Sequence, residues 1–133
     1  MPLHPRNKHK GKYDFQKLTL IYQGLKPFVT PNKFGNDSID FSNQEAVKAL
    51  NQALIKSYYQ IDSWDIPEEY LIPPIPGRGD YIHHLADLLG EPMGSETKIL
   101  DIGTGSSLIY PIIGNRDYGW SFIASEIDPT SLE

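Results

Sequence analysis

No cysteine occurs anywhere in the 133 residues. Disulfides and thiolate metal sites are therefore excluded, and the composition fits a cytoplasmic protein. Long apolar runs are missing too: none approaches the roughly 18 residues that a membrane-spanning helix needs, so no membrane partner is expected. The charged first residues are not followed by the apolar stretch of a secretory signal. Acids are absent from the first twelve positions, where Arg6, Lys8, Lys10 and Lys12 stand with His4 and His9 between them. Those four bases leave eight against seventeen acids in the remainder, a net of −9 behind an overall −5. Such a division suits a chain whose basic segment, rather than its whole surface, meets phosphate; a solvated tail has the same composition. With 39% hydrophobic and 22% charged residues, one ordinary globular domain is expected and global disorder is not.

What is present has a clear periodicity. Phe15, Leu18 and Tyr22 lie at helical spacing, predicting a short amphipathic helix over 14–22. Pro27, Pro31, Gly35 and Asn36 break 26–38 into loop and turn, and Ile39 and Phe41 alternate with polar neighbours as a short extended segment. Ser42 and Glu45 match a capping box, after which Ala46, Val47, Leu50, Ala53, Leu54 and Ser57 line one face of a helix. Prolines at 67, 73, 74 and 76 predict a rigid connector over 65–78. A second helix is expected over 80–89, with Tyr81, Ile82, Leu85, Leu88 and Leu89 inward and Gly90 ending it.

Composition changes at Lys98. Residues 98–102 form a short apolar strand, followed at once by Gly103-Thr104-Gly105, a helix over 106–113 ended by Gly114, and a second strand over 120–126. This is the strand–turn–helix–strand opening of a doubly wound α/β sheet. Glycines after a strand let the backbone turn sharply and approach a ligand that a Cβ would exclude, and the helix that follows points its N–H groups at that ligand. A dinucleotide loop wants a third glycine where Leu108 stands, which disfavours a nicotinamide-dependent oxidoreductase. Asp101 before the first glycine and Glu126, 25 positions later at the end of the next strand, follow the methyltransferase pattern instead. A carboxylate at that strand end offers two acceptor oxygens to two ribose hydroxyls.

Around the loop, several segments occur in order: His4-Pro5-Arg6-Asn7, Asp40-Phe41, Ala46-Val47-Lys48-Ala49-Leu50-Asn51, Trp64-Asp65-Ile66-Pro67 and Pro76-Gly77-Arg78-Gly79-Asp80-Tyr81-Ile82-His83-His84-Leu85. They are followed by the glycine loop, Ile109-Tyr110-Pro111, Gly119-Trp120 and Glu126. Together they resemble, over nearly the whole chain, the N-terminal part of the bacterial 23S rRNA (adenine-N6)-methyltransferase family, the RlmF-like enzymes. A eukaryotic relative of that family modifies spliceosomal and messenger RNA. The resemblance implies S-adenosylmethionine as cofactor and 23S ribosomal RNA as partner. It implies that Arg78 meets the methionine carboxylate, that Gly103, Gly105 and Ser107 surround the cofactor, and that Glu126 binds the ribose. It also implies that the basic segment, with Arg6, Lys8, Lys10 and Lys12, engages RNA.

The expected fold class is α/β. A basic arm covers 1–13 and a helical region 14–94. Residues 95–133 hold the strand–helix–strand start of a class I Rossmann-like methyltransferase domain, truncated. Enzymes of this type carry an Asn-Pro-Pro-Phe signature that holds the target amine and stacks on the flipped base. Here Pro73-Pro74 is flanked by Ile72 and Ile75, so the signature is absent and no catalytic residue is assigned. Two strands leave apolar faces and an unpaired edge. The chain therefore reads as a fragment, inactive alone. A competing reading is a non-catalytic RNA-binding module with a vestigial nucleotide loop. No metal is expected, because His83 and His84 are adjacent and point apart on a helix, and the four histidines lack ligand spacing with any carboxylate. Tyr58, Tyr59, Trp64 and Tyr70, beside the proline connector, are expected to pack.

Overall fold

The computed structural model describes residues 1–133 and contains no helix long and apolar enough to cross a membrane. Contacts divide the chain into two compact units, one of residues 11–65 and one that joins residues 1–10 to residues 66–133. A boundary is expected near residue 95. The structure instead packs the helix before that point with the α/β part, and the N-terminal segment closes on both.

The unit of residues 11–65 begins with α1 (Phe15–Ile21), whose N-cap Asp14 accepts a hydrogen bond from the Lys17 amide at 3.1 Å. A 3-10 turn (Gln23–Phe28) follows, then the two-residue strands β1 (Thr30–Pro31) and β2 (Asp37–Ser38), paired antiparallel. Asn32 Oδ1 fixes the turn between them by accepting from the amides of Phe34 and Asn36 at 2.9 and 3.1 Å. The extended segment expected at Ile39 and Phe41 is not part of the ladder, which stops at Ser38; Ile39 is buried while Phe41 is exposed. Helix α2 (Gln44–Tyr59) is capped by Asn43, not by the expected Ser42. Asn43 Oδ1 takes the amides of Glu45 and Ala46, while the Ser42 hydroxyl donates to Asp40 Oδ1 at 2.6 Å. Both residues are good N-caps, and the local turn at Asp40 decides between them. α1 and the 3-10 turn pack on α2, burying Leu18, Leu25, Leu50 and Leu54.

The second unit is built on α3 (Ile75–Leu88), β3 (Lys98–Ile102), α4 (Ile109–Tyr118), β4 (Ser121–Ser125) and the short α5 (Pro129–Leu132). α3 starts five residues earlier than expected. Pro76 sits in its first turn, where a missing N–H breaks no intrahelical bond, so this proline begins a helix instead of forbidding one. Its inward face is also different: Ile75, Gly79, Ile82, His83 and Ala86 are buried, while Tyr81, Leu88 and Leu89 are exposed. His83 can be buried because the Tyr118 hydroxyl lies 2.7 Å from its Nδ1.

β3 and β4 run parallel, with Leu100 beside Ile123 and Asp101 beside Ala124. Leu100, Ile102 and Ile123 are exposed, so one face of the pair is apolar and uncovered. Gly114, expected to end α4, lies inside it, because the helix must approach β4 closely there. A Cβ at that position would meet Phe122 Cζ at 2.4 Å. The helix ends at Gly119 instead, at φ 73°.

The basic segment is not a free arm. His4, Asn7 and His9 are buried. Asp80 Oδ1 accepts from the His4 amide at 2.9 Å and from Asn7 Nδ2 at 2.6 Å. Arg6 donates to Tyr118 Oη at 3.0 Å and pairs with Asp87 and Glu91, each at 2.5 Å. These bonds tie the segment across α3 and α4.

Candidate functional site

Where β3 ends, the chain turns through Gly103 and Gly105, both at positive φ (68° and 74°), before α4 begins. Leu108 serves as the N-cap of α4 with a left-handed backbone and no capping side chain. The loop borders a pocket of about 390 Å³. A Cβ built on either glycine meets no protein atom within 4 Å, so side chains there would project into space that the pocket keeps open.

All six residues that the sequence nominated for a cofactor line this pocket: Arg78, Asp101, Gly103, Gly105, Ser107 and Glu126. They come from the first turn of α3, the end of β3, the loop and the end of β4. Glu126 is the most constrained. Its Oε2 accepts from the Gly105 amide at 2.9 Å, and its Oε1 from its neighbours Ile127 and Asp128 at 2.8 and 3.3 Å. Backbone N–H groups, that of Ile127 first, hold its carboxyl below the usual range, so it stays ionised. Asp101 Oδ2 accepts from the Thr104 hydroxyl at 2.7 Å, which fixes the loop from beneath. Arg78 donates from Nη1 to Tyr110 Oη at 2.9 Å.

The residues nominated for RNA do not share this pocket. Arg6 and Lys8 are engaged by acids, Lys8 with Asp117 at 2.6 Å. Lys10 is exposed and donates to the Pro5 carbonyl at 2.5 Å. Lys12 belongs to the other unit, where it borders a separate cavity.

Tyr70, Tyr110 and Asp128 also line the pocket and were not among the residues expected to hold the cofactor. Tyr110 stands behind Arg78, and Tyr70 donates to Asp128 Oδ2 at 2.5 Å. The hydroxyls of Tyr70 and Ser131 hold the Asp128 carboxyl below its usual range. The signal for Asp128 was its position two residues after Glu126. Tyr70, expected to pack beside the prolines, bonds to an acid that nothing in spacing pairs with it. Asp101, Glu126 and Asp128 set three carboxylates against one guanidinium around the pocket. That balance favours a ligand carrying hydroxyls, positive charge and a single carboxylate, and repels a polyphosphate.

Comparison with known proteins gives consistent matches. The family described as RNA methyltransferase matches residues 1–133. The chain is 56% identical over 135 aligned positions to ribosomal RNA large subunit methyltransferase F of Pectobacterium carotovorum subsp. carotovorum (strain PC1), covering 98% of this chain and 43% of that protein. It thus spans less than half the length of that curated relative. Among solved structures it superposes on the N-terminal domain of human METTL16 in complex with SAH at a TM-score of 0.87 and 38% identity, covering 98% of this chain and 52% of that one. The hMettl16 catalytic domain in complex with the MAT2A 3′UTR hairpin 6 gives a TM-score of 0.86 and 39% identity, covering 98% and 46%.

Proposed function

The chain belongs to the RNA methyltransferase family, and from that membership we propose that it forms the S-adenosylmethionine-binding part of an enzyme that methylates N6 of an adenine in 23S ribosomal RNA. The observation that carries this reading is the convergence of Arg78, Asp101, the glycine loop and Glu126 on one pocket. The residues fit the cofactor: the glycines leave a cradle that a Cβ would fill, and the charges match a ligand with one carboxylate and a sulfonium. When bound, S-adenosylmethionine supplies the methyl group.

The chain's own residues bind and orient. Arg78 pairs with the α-carboxylate, a charge-assisted contact that a guanidinium makes with two donors. Glu126 accepts from the ribose hydroxyls. Three backbone donors already occupy most of its roughly four lone-pair positions, and the bond from the Asp128 amide at 3.3 Å is the longest of them, so that position would be the readiest to accept a ribose hydroxyl. The glycine loop and the start of α4 line the same pocket and would border the rest of the cofactor. No Asn-Pro-Pro-Phe run occurs in this sequence. The matched relative named for ribosomal RNA and the human neighbour solved with an RNA hairpin support RNA as the substrate. A cytoplasmic setting follows from a ribosomal substrate.

Calorimetric titration of S-adenosylhomocysteine into the chain, with Arg78→Ala alongside, tests the proposal. Binding that Arg78→Ala weakens at least tenfold is expected; absence of binding to the unaltered chain sinks the reading that residues 1–133 hold the cofactor.

A further inference from the structure

Resting on that cofactor reading, we propose that Tyr110 is a positioning and specificity-determining residue, holding the Arg78 guanidinium ready and offering its own phenol proton to the same carboxylate. Tyr110 is the second residue of α4, just past the glycine loop. Its oxygen accepts from Arg78 Nη1 at 2.9 Å, and the guanidinium carbon lies 5.6 Å from its ring centroid. The Tyr81 ring packs on Tyr110 with centroids 5.1 Å apart and planes tilted by 53°, which limits where the phenol can go. Arg78 forms no ion pair within the protein, although three carboxylates share its pocket. Its positive charge is therefore left for a ligand.

A phenol oxygen that accepts from a guanidinium keeps its O–H for another acceptor. A ligand carboxylate arriving at Arg78 meets two donors from the guanidinium side and one from Tyr110, all charge-assisted once the carboxylate is in place. An arginine already held also loses less side-chain freedom when the ligand binds. Nothing in this arrangement reads the adenosine end. Tyr110 thus selects for the amino-acid carboxylate, and a ligand lacking it gains nothing from the phenol.

The test compares S-adenosylhomocysteine with 5′-methylthioadenosine, which keeps the nucleoside and thioether but has no amino-acid group. Both are titrated into the unaltered chain, Tyr110→Phe, Arg78→Ala and the double variant. Tyr110→Phe keeps the ring, so the melting temperature should hold. It should weaken S-adenosylhomocysteine about tenfold, as expected for one hydrogen bond to a charged group, and change 5′-methylthioadenosine less than twofold. With Arg78 already removed, the further loss should stay below about threefold. Unchanged S-adenosylhomocysteine affinity in Tyr110→Phe overturns the proposal, as does an equal loss for both ligands. Failure of the unaltered chain to bind S-adenosylhomocysteine overturns the cofactor reading and this proposal with it.

Discussion

Replacing Gly114 with alanine sets two effects against each other. Gly114 lies inside α4, where alanine is favoured over glycine by roughly 0.8–1 kcal/mol. Its new Cβ would stand 2.4 Å from Cζ and 2.7 Å from Cε2 of Phe122, and 3.2 Å from Cε3 of Trp120. Carbon atoms rest about 3.5–4.0 Å apart, so the neighbours must move by roughly 1 Å. Trp120 cannot yield: it is fully buried and its indole N–H is tied to the Pro92 carbonyl at 2.8 Å. Phe122 must turn aside, or β4 must slide along α4. Overpacking costs about 1–3 kcal/mol, and so close a contact belongs at the upper end. The net expectation is a loss of about 1–2 kcal/mol, or roughly 3–10 °C in melting temperature for a chain of this size. Circular-dichroism melts measure it, and adding Phe122→Leu should recover part of the loss because the two sites share one contact. Because Ile109 and Tyr110 at the start of α4 and Glu126 just past β4 line the pocket, S-adenosylhomocysteine affinity should fall as well. A variant that melts at or above the unaltered protein would refute the reasoning, since helix propensity would then have won.

Acidification should weaken the fold in two stages. Burial pushes the His9 imidazole from 6.5 down to about 4, against the pull of Asp117. The unfolded chain takes this proton near pH 6.5 and the folded one resists it, so about 3 kcal/mol present above 6.5 is lost as pH falls toward 4. The Asp87 carboxyl is held down to about 2 by hydrogen bonds from Arg6 and then His4, so its contribution is present above 3.8 and disappears as pH falls toward 2. Urea unfolding at pH 7.5, 5 and 4 should show the first stage, and a flat profile there would contradict it. Arg6→Ala should lower the melting temperature, since Arg6 spans Asp87, Glu91 and Tyr118. Lys10→Ala should leave melting unchanged, and on the proposed RNA reading one lost phosphate contact should reduce the salt slope of RNA binding by roughly 0.7–0.9. An unchanged melt for Arg6→Ala would count against the segment's clamping role.

The elements most legible in the sequence were those defined by adjacent residues. β3 was expected and found over 98–102, because an apolar run ending at a glycine turn needs no distant partner to be recognised. The pocket set was legible because Arg78, Asp101, Gly103, Gly105, Ser107 and Glu126 sit in recognisable segments. What escaped depended on contacts made across the chain. Gly114 looked like a helix end until Phe122 was seen against it. Pro76 looked like a breaker, since a first turn and an interior turn differ only by where the helix begins. The basic segment looked like an arm because composition reports four bases and not the carboxylates of Asp87, Glu91 and Asp117 waiting for two of them. Tyr110 and Tyr70 were invisible as site residues, because their partners lie 32 and 58 positions away.

That clamped segment has a consequence for synthesis. His4 bonds to Asp80, 76 positions later, and Arg6 to Tyr118, 112 positions later, with the whole 11–65 unit made in between. At about 5–20 residues per second, the first ten residues wait roughly 6–22 s after translation before their last partner exists. The intervening unit is free to fold during that interval, but the unit containing the pocket cannot close until α4 has been made. Residues 1–10 are therefore made before every other element of their unit and are among the last parts of it to find their place.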